Sequence, residues 1–428
     1  MHKIYVKDLS ADMGGKEVVV AGWVHEVREL GSITFLLLRD STGIVQVTAK
    51  KGVTDPTLIK QMALPKESVV EIEGTIAKNS TARMGFEIIP KKISNLNPLS
   101  AQIPFEVTGK VPAYLDVRLD YRYVDLRTAE SRAVFRIQST ILQAFRKSLL
   151  EDGFQEIITP EIVAEATEGG ADLFEIKYFE DKAYLAQSPQ IYKQSAIIGG
   201  MEKVFMLSKA FRAEKSNTLF HLTESTQLDI EMAFADDNDA IFELVKVFKD
   251  IIKEVKNKNS DDLKTLSVDL EVPDIKKITY TQAIEALREQ GIQISFGDDI
   301  SREQENKICE LFGEAVIVTG YPTAIRAFYS MPSEEDPKIS KSYDLLYRGA
   351  EVLSGAQRIH KPEMLIEAIK AKGLNPTSFS SYINAFRCGA PPHAGWSIGL
   401  ERLTKQITKR ENIRECSLFP RDRKRLTP

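Results

Sequence analysis

The chain has 428 residues, of which 43% are hydrophobic and 28% are charged, and its formal net charge is −4 at pH 7. These values are typical of a globular protein large enough for two or three domains with separate cores. They exclude a uniformly basic nucleic-acid-binding chain, so an RNA partner would have to use local basic patches.

The three cysteines, Cys309, Cys388 and Cys416, are odd in number and far apart. This spacing predicts neither a disulfide framework nor a cysteine zinc site. The first residues have no apolar core of signal-peptide length, and no apolar run approaches the length of a membrane span. We therefore expect a cytoplasmic protein without membrane contact.

Residues 1–103 are rich in short β-type segments. Five of them in about a hundred residues favour a small closed barrel of the OB kind, and residues 55–64 suit a helix that plugs it. Residues 104–130 are predicted to form a linker or hinge. Within it, residues 118–127 contain closely spaced arginines, tyrosines and aspartates. A salt-bridged connector and a direct RNA contact are both open interpretations.

Residues 131–428 alternate helical and β-type patterns, so the predicted fold class is α+β. Ser131 can cap a long helix that ends near Asp152. A strand at residues 225–234 alternates polar residues with apolar ones, which indicates either a wet pocket or plain solvent exposure on one face. Residues 236–321 resemble an α/β insertion.

A glycine-rich stretch near the C-terminus, residues 389–403, carries Gly395 and Gly399 just before Glu401 and Arg402. Without a Cβ, glycine allows a flat ligand to lie against the backbone. Arg402 and Arg212, which follows another predicted strand, form a pair of cations suited to the charge of a reacting ATP. No P-loop motif is present.

Three further groups of side chains suit the same chemistry. Glu214 can accept a hydrogen bond from the amino group of adenine. Glu351 and Ser354 supply the oxygen ligands that Mg²⁺ shares with phosphates. Lys193 and Arg358 can clamp a small carboxylate. Each of these residues taken alone is more often a solvated surface group.

With these residues in place, the chain resembles a class II aminoacyl-tRNA synthetase of subclass b, in the archaeal and eukaryotic form of the aspartate subgroup. Motif one resembles residues 131–160, motif two residues 211–231 and motif three residues 395–402. The resemblance implies an anticodon-binding OB-fold barrel of five strands, then a catalytic domain with a six- or seven-stranded antiparallel sheet flanked by helices. It also implies a homodimer with Pro160 at the interface.

The implied reaction joins L-aspartate to ATP as aspartyl-adenylate and then transfers the aspartyl group to the 3′ end of tRNA(Asp). The catalytic residues implied are Arg212, Glu351 and Arg402. Aspartate-binding residues would be Glu168, Gln190, Ile191, Tyr192, Lys193, Arg212, Ser354 and Arg358. ATP-binding residues would be Arg212, Ala213, Glu214, Phe220, His221, Leu222, Glu351, Gly399, Leu400, Glu401 and Arg402, with Mg²⁺ on Glu351 and Ser354.

The motif-two loop departs from the family pattern. Where the family often has Arg-His-Leu, this chain has Phe220, His221 and Leu222. The arginine that would contact the γ-phosphate is missing, so that contact is weakened or is supplied by another residue.

In the barrel, Phe35 resembles the aromatic residue that stacks on the middle anticodon base, Gln46 a residue that reads the edge of that base, and Arg28 a neighbour. Phe35 as a core residue of the barrel is the alternative, because leucines flank it. His25, Ser80 and Thr81 stand where tRNA(Asp)-restricted enzymes carry a tryptophan and a Pro-Lys pair. This resembles the relaxed type, which also aspartylates tRNA(Asn).

Three alternatives remain open at this point. An asparaginyl-tRNA synthetase would lack a cation at the position of Lys193. A non-catalytic RNA-binding paralogue would have lost Arg212, Glu351 or Arg402, all of which are present. A stand-alone amino-acid ligase would not need residues 1–100.

Overall fold

The computed structural model describes residues 2–164, 173–213 and 218–428, and it divides the chain into two compact units, residues 1–113 and 114–428. Residues 114–130, which the sequence analysis assigned to a linker, therefore belong to the larger unit. They form two short helices there, because their charged side chains are paired inside that unit.

The smaller unit is the predicted five-stranded closed barrel, with its strands in the order β1-β2-β3-β5-β4. The strands are β1 Glu17–Leu30, β2 Ile33–Arg39, β3 Ile44–Lys50, β4 Val69–Lys78 and β5 Phe86–Asn97, and one helix, α1 Pro56–Met62, lies between β3 and β4. Asp55 caps α1 by accepting a hydrogen bond from the Thr57 N–H at 2.7 Å. Met62 is fully buried among the barrel's apolar side chains, so the predicted plugging helix is confirmed.

The larger unit begins with α2 Leu115–Asp120 and α3 Arg122–Asp125. Arg122 is 1% exposed, pairs with Asp125 at 2.5 Å, and donates to the carbonyl of Leu418 at 2.9 Å. Arg118 also pairs with Asp125, at 2.7 Å. These buried pairs support a salt-bridged connector and not an RNA contact for Arg118, Arg122 and Asp125.

The long helix predicted after this segment is α4, Ala129–Glu151. Its N-cap is Thr128, whose hydroxyl accepts the Ser131 N–H at 3.2 Å, so the predicted capping by Ser131 is wrong by three residues. Ser131 lies in the first turn of the helix, and its hydroxyl donates to Asp125 at 2.7 Å.

An eight-stranded sheet forms the centre of the larger unit, in the order β12-β13-β14-β15-β16-β11-β10-β6. Its strands are β6 Gln155–Glu156, β10 Lys203–Phe211, β11 Glu224–Ala233, β12 Ile275–Thr279, β13 Ala315–Thr319, β14 Ser342–Tyr347, β15 Glu351–Gln357 and β16 His393–Gly399. The pairs at its two edges, β6 with β10 and β12 with β13, are parallel and the others are antiparallel. The sheet is thus larger than the family resemblance implied, and mixed.

Within residues 236–321, for which an α/β insertion was predicted, strands β12 and β13 extend this sheet. Helix α6, Asp237–Lys258, packs with α4 against the sheet and contributes to the main apolar core. The remaining elements are the small sheet β7 Ile162–Val163, β8 Glu175–Tyr178 and β9 Asp181–Leu185, and the helices α5 Gln190–Ile198, α7 Ser260–Thr265, α8 Tyr280–Glu289, α9 Arg302–Phe312, α10 Pro362–Ala371, α11 Ser380–Arg387 and α12 Leu400–Thr408.

Candidate active site

Three adjacent strands, β11, β16 and β15, form the floor of a cavity of about 350 Å³ in the larger unit. Leu228 and Ile230 of β11 point into the core beneath the sheet, and the polar residues that alternate with them point the other way. On this upper face Asp229 lies opposite Ser397 of β16, which in turn lies opposite Ser354 of β15. The alternation in β11 therefore marks a pocket and not a solvent-exposed face.

Arg212 and Arg402 both line this cavity, although 190 positions separate them in the chain. Arg212 directly follows β10, and its N–H donates to the Thr223 carbonyl at 2.9 Å. Arg402 lies in the first turn of α12, which begins where β16 ends. Two strand ends of one sheet thus bring two permanent cations to one cavity, as an anionic ligand requires.

A fully buried array of four charges lies deeper in the cavity. Lys193 of α5 is 1% exposed, and its ammonium group is 3.0 Å from the Asp229 carboxylate and 3.3 Å from that of Glu231. Arg358 donates to both oxygens of Glu231, at 2.9 and 3.3 Å. The two predicted carboxylate-binding cations are therefore already paired with two acids of β11.

The two acids respond differently to this environment. Burial raises the pKa of Asp229, even though Lys193 and the Ser208 hydroxyl stabilise its charged form. Burial alone would also raise the pKa of Glu231, but Arg358 and Lys193 together hold it below its usual value. Glu231 is the firmly ionised partner of the pair, and Asp229 the one whose charge is less favoured.

Glu351 and Ser354 reach the same face of β15 because the strand has a bulge. Leu353 pairs with Leu345 and Glu351 with Leu346, so Val352 is the extra residue. The bulge brings residues three apart to one side of the strand, where both line the cavity. Glu351 contacts Arg402 at 3.3 Å, and the Ser354 hydroxyl accepts a hydrogen bond from Arg326 at 2.7 Å.

The Glu351 carboxyl lies among other acids. Burial, together with the nearby charge of Asp344, raises the pKa of Glu351 to about 7, although Arg402 opposes the shift. Arg326 pairs with Asp344 at 2.8 and 2.7 Å, so it neutralises one of these neighbours. Within the described ranges, no three His, Cys, Asp or Glu side chains group in a way that could hold a metal ion by themselves.

The two glycines of the C-terminal stretch serve different purposes. A Cβ on Gly395 would lie 2.3 Å from the Ile230 carbonyl oxygen and 2.4 Å from a Glu231 carboxylate oxygen. The space that Gly395 leaves is thus used by the neighbouring strand, and not by a ligand as the sequence suggested. A Cβ on Gly399 would have no neighbour closer than 3.6 Å, and Gly399 does line the cavity.

Other predicted site residues divide into three groups. Gln190, Phe220, His221, Leu222 and Glu401 line the cavity. Ile191 and Leu400 instead pack into apolar cores, and neither Tyr192 nor Ala213 is among the cavity-lining residues. Glu168 and Glu214 lie outside the described residues.

The Glu401 carboxylate accepts the Thr226 N–H at 3.0 and 3.2 Å, so it ties α12 to β11. Sequence reasoning missed Arg326 and Tyr329, which also line the cavity. They lie outside the three motifs in a loop without periodicity, so no signal marked them.

The predicted anticodon residues lie in the barrel. Phe35 alternates along β2 with the fully buried Leu36 and Leu38, so it lies on the outer face and its interpretation as a core residue is wrong. It is opposite Arg28 of β1, which pairs with Glu26. Gln46 donates to Glu87 of β5 at 3.0 Å. Glu87 was not predicted, although its place in an alternating strand was a usable signal.

The remaining three barrel residues lie elsewhere on that unit. The His25 ring is 3.0 Å from Arg39, and burial together with that guanidinium lowers its pKa, so the ring is neutral at pH 7. Ser80 and Thr81 are exposed between β4 and β5, where the Thr81 hydroxyl donates to Asn79 at 2.7 Å.

Comparison with known proteins identifies the class. The family model for tRNA synthetases class II (D, K and N) matches residues 114–423, and the model for an OB-fold nucleic acid binding domain matches residues 18–96. The chain therefore belongs to the class II tRNA synthetases that serve aspartate, lysine and asparagine.

Individual relatives show to which members of this class the chain is similar in sequence. The aspartate–tRNA(Asp/Asn) ligase of Methanocaldococcus jannaschii is 46% identical over 427 residues, which cover 99% of this chain and 98% of that protein. The aspartate–tRNA(Asp/Asn) ligase of Methanothermobacter thermautotrophicus is 45% identical over 427 residues, which again cover 99% of this chain and 98% of that protein.

Solved structures are similar along the whole chain. Asparaginyl-tRNA synthetase from Pyrococcus horikoshii, complexed with asparaginyl-adenylate, has a TM-score of 0.95 at 34% identity and full coverage of both chains. Aspartyl tRNA synthetase from Entamoeba histolytica has a TM-score of 0.90 at 35% identity, covering 100% of this chain and 93% of that one. In the part of the chain that the structure describes, no helix is long and apolar enough to cross a membrane.

Proposed function

We propose that the chain is an aspartate–tRNA ligase that activates L-aspartate with ATP and charges both tRNA(Asp) and tRNA(Asn). The observation that carries this proposal is the convergence of Arg212, Arg402, Lys193 and Arg358 on one cavity. Two of these cations suit the triphosphate and two suit a dicarboxylic amino acid. The full-length similarity to aspartate–tRNA(Asp/Asn) ligases supports the choice of both tRNAs.

In the first step, an α-carboxylate oxygen of aspartate attacks the α-phosphorus of ATP and pyrophosphate leaves. Arg212 neutralises the α-phosphate and the attacking carboxylate, which lowers their mutual repulsion. Arg402 stabilises the triphosphate from the adenine and γ-phosphate side. In the second step, the terminal ribose 3′-hydroxyl of the tRNA takes the aspartyl group and AMP leaves.

Substrate choice depends on the deep charge array. Glu231 accepts hydrogen bonds from Nε and Nη2 of Arg358, which leaves Nη1, without a hydrogen-bond partner among the described residues, to bind a substrate carboxylate. Lys193 adds a second positive charge at the same depth. Because asparagine carries no side-chain charge, it gains much less from these cations, and the pocket therefore selects aspartate.

The oxygens of Glu351 and Ser354 fit a Mg²⁺ ion that also binds ATP phosphates, since Mg²⁺ typically uses one or two protein carboxylates and completes its shell with phosphates and water. The elevated pKa of Glu351 supports this fit, because a nearby cation would relieve the repulsion among its acidic neighbours. Such an ion would neutralise phosphate charge during adenylate formation. Glu214 remains predicted to accept the adenine amino group.

The barrel would bind the anticodon through Phe35, Gln46 and Arg28, with Glu87 added from the structure. His25, Ser80 and Thr81 are predicted to permit tRNA(Asn). We also propose a cytoplasmic homodimer that buries Pro160. The adjacent Ile158 supports it, because an isoleucine side chain that is 99% exposed in one subunit suits an interface.

ATP–pyrophosphate exchange with aspartate and with asparagine tests the amino-acid choice. We expect exchange with aspartate to exceed that with asparagine by at least about a hundredfold, whereas the reverse preference would identify an asparaginyl-tRNA synthetase. Aspartylation of tRNA(Asp) and tRNA(Asn) transcripts then tests the tRNA range. A rate on tRNA(Asn) no better than on an unrelated tRNA would overturn the dual specificity.

A further inference from the structure

Phe220, the residue that departs from the family pattern, has two cations close to its ring. Its ring lines the active-site cavity. The Arg302 guanidinium carbon is 4.4 Å from the ring centroid, and the Lys405 ammonium nitrogen is 4.2 Å from it. Both distances are within the range of a cation–π contact. Two like charges on one ring cost energy unless an anion is close to both.

The residues that the structure describes supply partners for only part of this charge. Arg302 begins α9 and donates through Nη1 to Glu305 at 2.7 Å. The same Glu305 oxygen accepts the Glu351 N–H at 3.0 Å, which connects Arg302 to the start of β15. Glu351 in turn pairs with Arg402. Arg402 therefore lines the cavity itself, whereas Arg302 and Lys405 contact its lining residue Phe220, with the Glu305 and Glu351 carboxylates nearby.

The two cations on the ring differ in what they can reach. Lys405 is only 6% exposed, and it lies one turn after Arg402 on α12. The Arg302 side chain is 34% exposed. A guanidinium has five N–H donors, and one of those of Arg302 contacts Glu305. Among the contacts of the described residues, Arg302 therefore has both the exposure and the spare donors that a phosphate needs, whereas Lys405 is too buried for that role.

We infer that Arg302 binds the terminal phosphate of ATP and then the departing pyrophosphate, replacing an arginine at position 220, while Glu305 holds it in place. This inference rests on the proposed adenylate-forming function. During that step the aspartate oxygen forms its bond to the α-phosphorus as the bond to the bridging oxygen breaks. The electron pair leaves with pyrophosphate, and Arg302 stabilises the resulting negative charge.

The test compares Arg302→Ala with Arg302→Lys in aspartate-dependent ATP–pyrophosphate exchange. We expect the alanine variant to raise the KM for ATP and for pyrophosphate about tenfold, the loss of one charge-assisted contact at a partly exposed site. The lysine variant should recover part of this loss. Lys307→Ala is the matched control, because Lys307 is on the same helix and pairs only with the exposed Glu310, at 3.1 Å, among the contacts of the described residues.

Two further measurements separate phosphate binding from a structural role. Binding of a non-hydrolysable aspartyl-adenylate mimic, which has no β- or γ-phosphate, should not change in Arg302→Ala. Adding Phe220→Arg to Arg302→Ala should restore the KM for ATP. If the mimic binds as poorly as ATP does, or if the KM for ATP is unchanged, the inference is overturned. Wild-type protein without any aspartate-dependent exchange would instead refute the proposed function.

Discussion

Replacing Lys193 with methionine removes the central cation of the deep charge array while keeping most of the side-chain volume. Lys193 lies 3.0 Å from Asp229 and 3.3 Å from Glu231, and all three side chains are at most 2% exposed. At an effective dielectric constant of about 20, each contact corresponds to about 5 kcal/mol of attraction, much of which offsets desolvation. Removing one partner leaves uncompensated buried charge.

We therefore expect Lys193→Met to lower the free energy of unfolding of the larger unit by about 3–5 kcal/mol. Aspartate activation, measured as kcat/KM in ATP–pyrophosphate exchange, should fall by roughly a thousandfold, which corresponds to about 4 kcal/mol. Asparagine activation should change much less, because that substrate does not use the cation.

The double variant Lys193→Met with Asp229→Asn separates the two effects. It removes one charge of each sign, so we expect it to recover most of the stability lost in the single variant. Aspartate activation should remain low, because the substrate carboxylate still lacks its cation. Recovery of aspartate kcat/KM to within tenfold of the wild-type value would show that Lys193 serves only to neutralise β11, and would refute the reasoning.

Three further predictions concern packing, tRNA binding and pH. Gly395→Ala should destabilise the protein by about 1–3 kcal/mol in chemical unfolding because its Cβ would meet the Ile230 carbonyl, whereas Gly399→Ala should change it by less than about 1 kcal/mol. Phe35→Ala should weaken tRNA binding, measured by filter binding, by about 1–3 kcal/mol and leave aspartate-dependent ATP–pyrophosphate exchange unchanged. An equal loss of ATP–pyrophosphate exchange would contradict a role of Phe35 in tRNA binding. Burial and the adjacent Asp152 raise the pKa of Glu243 from 4.5 to about 7, so the folded state loses stability as the pH rises through this range and the buried carboxyl gives up its proton. Glu243→Gln should therefore raise the free energy of unfolding by roughly 1–2 kcal/mol at pH 8 and leave it unchanged at pH 4. An effect that is the same at both pH values would refute this prediction.

The barrel and the long helices could be predicted from the sequence because their signals are local. Period-two alternation in β2 and β4, and the apolar face of α4, are set by residues a few positions apart. That β12 and β13, within residues 236–321, extend the central sheet could not be predicted, for the opposite reason. Strand pairing between β13 and β14 joins segments that are distant in the sequence, and a local pattern does not predict to which sheet a strand belongs.

In the candidate active site, too, the residues could be selected from the sequence, but the contacts between residues distant in the chain could not. The types of the side chains and the family resemblance were enough to select Arg212, Arg402, Lys193 and Arg358, all of which line one cavity. The sequence did not indicate that Asp229 and Glu231 neutralise two of these cations, because that pairing depends on how α5 and the residue after β15 lie against β11. A carboxylate that alternates with apolar residues is equally consistent with solvent exposure until its partners are known.

The pairing changes the physical account of amino-acid selection. Two bare cations in a dry pocket would be too costly to bury without ligand, so Asp229 and Glu231 are what allow the empty pocket to fold. The raised pKa of Asp229 means that this acid can take up a proton more readily than Glu231. Protonation of Asp229 would leave Lys193 with one unit of positive charge to offer the substrate. In the proposed function, selection of aspartate would then depend on the net charge of the four-residue array, and not on Lys193 alone.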